Sequence, residues 1–135
     1  MSYFINPVKE DQCLFLTYEG EMPPIEVVAV RYEAAGLLAE KHWNRMVVDI
    51  TELRPVTAME LFVFAKGLSA DLPPSARIAL VVRPEQTKEA RIVENVARND
   101  GAFMSCFFDA DEATTWVKGM KPREQTQTRS VENRL

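Results

Sequence analysis

The chain has 135 residues, 47% of them hydrophobic and 27% charged, which is the balance of one ordinary globular domain rather than of a disordered or fibrous chain. A net charge of −4 and a pI near 5.1 argue against nucleic acid as a partner, because phosphate-tracking surfaces display a clustered basic field. No window approaches the ~20 apolar residues that span a bilayer.

Two β-rich runs open the chain, Ser2 to Val8 and Gln12 to Tyr18, and the polar Lys9-Glu10-Asp11 between them predicts a hairpin. The start carries no basic region, sustained apolar stretch or cleavage site, so a cytoplasmic protein is expected. Two isolated cysteines, Cys13 and Cys106, sit inside strand-like runs without CxxC spacing, which suits buried thiols in a reducing compartment. Pro23-Pro24 precedes a helical stretch from about Ile25 to Lys41. Arg45 to Ile50 is a compact apolar run, the pattern of a strand buried on both faces.

A second helix is predicted to start at Thr57, whose hydroxyl can cap the backbone while Glu60, three residues on, completes a capping box. Pro73-Pro74 stops it after Leu72. Arg77 to Val82 reads as the next buried strand, Glu85 to Asn99 as a third helix ending at Gly101, and Ala102 to Phe108 as the last strand. Asp109 and Glu112 form a capping pair for a short helix through Val117. Residues 120–135 are polar and predict a flexible tail after a single domain over 1–119. The order β-β-α-β-α-β-α-β-α implies an α/β fold: a mixed, largely parallel sheet with an N-terminal β-hairpin and flanking helices.

The second helix carries two apolar arcs. At about 100° per residue, Leu61, Phe64, Ala65, Leu68 and Leu72 form the expected core arc. Met59, Phe62, Val63 and Ala70 lie opposite, interrupted only by Lys66. The first helix repeats the pattern, with Ile25, Val28, Ala29 and Tyr32 on one side and Val27, Val30, Leu37 and Leu38 on the other. Three accounts stay open: the helices cover each other, the second arcs form a homodimer or other protein interface, or they line a groove for a small apolar ligand. A contact surface of Thr57, Met59, Phe62, Val63 and Lys66, supplemented near Val30 and Leu37, is the expectation. The third helix shows one ordinary stripe around Val93, Val96 and Ala97.

No constellation specifies a reaction. There is no phosphate-cradling glycine loop, no nucleophile elbow, and one histidine, His42, without a second ligand for zinc. No cofactor, metal or catalytic residue is therefore assigned, and a non-enzymatic protein is expected. Asp49, Thr51, Arg83 and Asp109 fall at strand C-terminal ends, where open α/β sheets bind ligands, and so form a candidate polar site for a cation or small anion.

Tyr18-Glu19-Gly20, the strand ending Val48-Asp49-Ile50, the helix start at Thr57, Arg77 to Val82, Phe107-Phe108-Asp109, Glu112-Ala113 and Trp116-Val117 together resemble the SpoIIAA-like branch of the STAS superfamily, over roughly residues 2 to 118. The resemblance implies small bacterial proteins with a fold also likened to CRAL-TRIO lipid-transfer domains, acting as regulatory or interaction modules without a settled activity. In the anti-sigma-factor antagonists of that superfamily, an Asp-Ser-Ser-Gly at this helix start carries a phosphorylated serine. Here the stretch is Thr57-Ala58-Met59-Glu60, which places Met59 at the serine position and leaves Thr57 as its hydroxyl.

Overall fold

The computed structural model describes residues 2–21, 23–55 and 57–119, with the side chains of residues 24, 58, 61 and 69 outside the description. The polar segment 120–135 lies outside the described residues. Strands β1 (Ser2–Val8), β2 (Cys13–Gly20), β3 (Arg45–Leu53), β4 (Arg77–Val81) and β5 (Phe103–Phe107) alternate after the hairpin with helices α1 (Pro24–Lys41), α2 (Ala58–Asp71), α3 (Thr87–Asn99) and α4 (Ala110–Val117). The hairpin loop is a single 3-10 turn over Lys9–Asp11, closed by Gln12 in the left-handed region at φ 49. A second 3-10 turn, Pro84–Gln86, takes the place of the first helical turn expected from Glu85.

One five-stranded sheet has the order β1-β2-β3-β4-β5, antiparallel between β1 and β2 and parallel thereafter. That order has a consequence for the layers. Three crossovers step in the same direction across the sheet, and right-handed connections then place all three helices on one face. Side chains obey this. Leu14, Leu16 and Tyr18 of β2, Met46, Val48 and Ile50 of β3, Ile78 and Leu80 of β4 and Met104 of β5 form one core with α1, α2 and α3. The alternate residues, Cys13, Val47, Ala79, Val81 and Phe107, meet Ala113 and Val117 of α4, which has no crossover to make and covers the opposite face. Strand β3 is thus buried from both sides, as its continuous apolar run requires.

Local signals explain the element ends. Thr57 Oγ1 accepts from the Glu60 N–H at 3.1 Å while Glu60 Oε1 accepts from the Thr57 N–H at 2.7 Å, a complete capping box at the start of α2. Asp109 Oδ1 accepts from the Asp111 and Glu112 amides and caps α4. Gly101 turns the chain out of α3 at φ +95, a backbone conformation that glycine enters without a Cβ penalty. His42 closes α1 in the left-handed region at φ 59, with its N–H on the Ala39 carbonyl.

Candidate functional site

On α2 the core arc is Phe64, Ala65 and Leu68, all buried, with Leu72 at the cap; Leu61, expected on the same arc, has its side chain outside the described residues. The opposite arc faces out. Met59 is 66% exposed and Phe62 47% exposed, whereas Val63 is half-buried. Lys66 lies 5.7 Å above the Phe62 ring and pairs with Asp100 at the end of α3. Its stem covers apolar surface while its ammonium stays wet.

For α1 the expectation of a contact arc near Val30 and Leu37 is overturned. Val30 is buried in the core with Val27, Ala34 and Leu38, and Leu37 packs against that cluster. The outward side carries Ile25, 84% exposed, and Tyr32, 60% exposed. The physical reason is stripe length: Val27, Val30, Ala34 and Leu38 run the full helix at a spacing of three or four, while the Ile25 and Tyr32 side is interrupted beyond Tyr32 by Gly36 and Glu40. Among the described residues, four of the seven exposed large hydrophobic side chains lie on these two helices, which pack against each other.

What joins α1 to α2 is a buried arginine that the apolar pattern did not single out. Arg31 Nε donates to Asp71 Oδ2 at 2.5 Å and Nη1 donates to the Val63 carbonyl at 3.2 Å. The guanidinium occupies the space that a side chain at Gly67 would need. Gly67 is therefore a close-approach position, where one helix accepts the charged head of the other.

The four strand-end polar residues separate into distinct settings. Asp49 and Thr51 come together on the α4 side of β3, where Asp49 Oδ1 accepts from the Thr51 amide at 2.8 Å and from its hydroxyl at 2.7 Å. This is a local side-chain-to-backbone turn. Asp109 is engaged in capping α4. Arg83 instead lines a cleft of about 150 Å³ at the C-terminal ends of β3 and β4, with Ile50, Leu53, Arg54, Pro55, Glu85, Gln86 and Glu89 around it. Buried Gln86 fixes one wall: its Nε2 donates to the Ile50 carbonyl at 2.7 Å and its Oε1 accepts from the Arg83 amide at 2.9 Å. Arg54, Gln86 and Glu89 carry no sequence signal for a site, since each belongs to a different local pattern and only the β3–β4 pairing brings them together.

No group of three or more His, Cys, Asp or Glu side chains among the described residues could hold a metal ion. Both cysteines are buried and neither forms a disulfide. Burial, and secondarily Asp11, pushes the Cys13 thiol up to about 12, far from a nucleophilic thiolate. Burial likewise raises Tyr18, whose ring meets Phe64 edge-on at 6.0 Å. No helix among the described residues is long and apolar enough to cross a membrane.

No family model matches the sequence, and no curated protein matches it. Among solved structures the chain is similar to an uncharacterised protein of the DUF3478 family with a SpoIIAA-like fold from Shewanella loihica PV-4. The identity is 18% and the TM-score 0.60, over 86% of this chain and 92% of that one. At that identity the likeness speaks for the fold. The five-stranded mixed sheet with its hairpin edge and four helices is consistent with a SpoIIAA-like fold.

Proposed function

We propose that this chain is a non-enzymatic regulatory or interaction module, and that the outward side of α1 and α2 is its contact surface with a second copy of the chain. The observation that carries the reading is the exposure of Ile25, Tyr32, Met59 and Phe62 on two adjacent helices. Aromatic and methionine side chains are the types enriched at the centre of protein interfaces, and an apolar patch of this composition is costly to leave in water. A two-fold dimer needs only one self-complementary patch. One helix would be too narrow for the ~800 Å² per partner of a stable contact, so α1 must contribute beside α2. Lys66 and Asp100, already paired, sit at the rim.

Sedimentation velocity of the full chain at high micromolar concentration tests this. The wild type sediments as a dimer, and Phe62→Glu or Tyr32→Glu converts it to a monomer with an unchanged melting temperature. A monomeric wild type, or variants that unfold outright, would refute the assignment of this face. The module reading also expects no turnover in hydrolase and phosphatase screens; activity that vanishes in Asp49→Asn would overturn it. With Met59 at the position of the antagonists' serine, no stoichiometric phosphate is expected on Thr57, which intact-mass measurement on protein from its host would check.

A further inference from the structure

The cleft at the ends of β3 and β4 is separate from the helix face and has a different chemistry. Its lining combines apolar Ile50, Leu53 and Pro55 with two arginines, Arg54 and Arg83. Arg54 is exposed, and no carboxylate of the described residues lies within salt-bridge distance of it; its backbone N–H is held by the Gly20 carbonyl at 2.7 Å, which anchors the residue without using its side chain. Among the described residues Arg83 has a single carboxylate contact, a 3.7 Å approach of Nε to Glu85, whose side chain is 73% exposed. Such a long surface pair holds the arginine weakly. Gln86, by contrast, has both ends of its amide engaged within the protein, which fixes its side chain in the lining. Glu89 and Glu85 complete the lining and set a limit on the negative charge the cleft can accept. Arg54 also borders a more open depression lined by Ser2, Glu19, Gly20 and Glu21.

We propose that this cleft binds a small monocarboxylate with a short apolar body. Planar guanidinium groups match a carboxylate with paired N–H donors, and the apolar side chains of the lining take the alkyl part. The two flanking glutamates disfavour a doubly charged anion. Size sets the body: a protein cavity of about 150 Å³ accommodates a benzene ring, roughly six heavy atoms. Butyrate has that number. The position agrees with where parallel α/β sheets take ligands, outside the carboxyl ends of their strands.

The experiment is a titration of the isotopically labelled full chain with sodium butyrate, followed by amide chemical shifts, with butylamine and inorganic phosphate as comparison probes. Butyrate gives saturable shifts centred on Ile50, Leu53, Gln86 and Glu89. Arg54→Gln and Arg83→Gln each weaken binding about tenfold or more, the loss of one charge-assisted hydrogen bond pair. Glu85→Gln, which frees Arg83 and removes a repelling charge, tightens it. The proposal is overturned if butyrate shifts do not saturate, if butylamine binds equally well, if phosphate alone shifts these amides, or if both arginine variants bind as the wild type does. None of those results bears on the helix surface, whose test is the oligomeric state.

Discussion

Replacing Gly67 with alanine isolates the lock between α1 and α2. In an ordinary helix interior the change stabilises by about 1 kcal/mol, because alanine loses less backbone entropy than glycine. Here a Cβ would overlap Arg31 Cζ, Nε and Nη2, so the guanidinium must leave. Its ion pair with Asp71 is nearly enclosed, with the two side chains 9% and 17% exposed. Losing that charged hydrogen bond costs about 1.5–3 kcal/mol and losing the bond to the Val63 carbonyl about 1 kcal/mol more. Set against the helix gain, Gly67→Ala is destabilising by about 1.5–3 kcal/mol. Urea denaturation followed by circular dichroism measures it, and a two-by-two cycle with Arg31→Ala supplies the control. In the Arg31→Ala background the space is empty, so the same glycine substitution should stabilise by about 1 kcal/mol. If Gly67→Ala stabilises the wild type, or if the two backgrounds respond alike, Arg31 does not hold the helix pair in this way.

Three other outcomes are expected. Thr57→Ala removes half of the capping box and lowers stability by about 1 kcal/mol in the same denaturation assay. Arg77 lies 4.5 Å from the Phe103 ring and 4.2 Å from the Trp116 ring, and two of its nitrogens donate to the Trp116 carbonyl at 2.9 and 2.6 Å. Arg77→Met therefore loosens α4, costing about 2–4 kcal/mol from the charged hydrogen bonds and the ring contacts, with an early change in tryptophan fluorescence. Finally, the Cys13 thiol has its ordinary value of 9.0 raised to about 12 on folding, so the folded state holds its proton more tightly than the unfolded chain. Its contribution to stability is complete below pH 9.0 and is lost as the pH rises toward about 12; Cys13→Ala should flatten the alkaline fall in melting temperature.

Much of the fold was legible because it is written in local chemistry. The capping residues Thr57 and Asp109, the glycine after α3 and the continuous apolar runs of β3 and β4 each act through neighbours a few residues away, and the structure uses them as the sequence implies. The order of elements likewise called for a hairpin followed by parallel strands. The orientation of α1 was not legible. It has apolar side chains on both sides, and only contact with the sheet selects Val27, Val30, Ala34 and Leu38 over Ile25 and Tyr32.

The sequence by itself determined which segments are strands and helices, where α2 and α4 are capped, and that α2 has more apolar surface than one core can absorb, because these depend on residues within one or two turns of each other. Tertiary structure decided the rest. A uniform direction of three right-handed crossovers put α1, α2 and α3 on one face and left the other to α4. The same long-range pairing buried Arg31 against Gly67 and Asp71, 40 residues apart from the arginine in the latter case. It also drew Arg54, Arg83 and Gln86 around one cleft while leaving Asp49 and Thr51 on the opposite side of β3, since alternate residues of a strand face opposite ways.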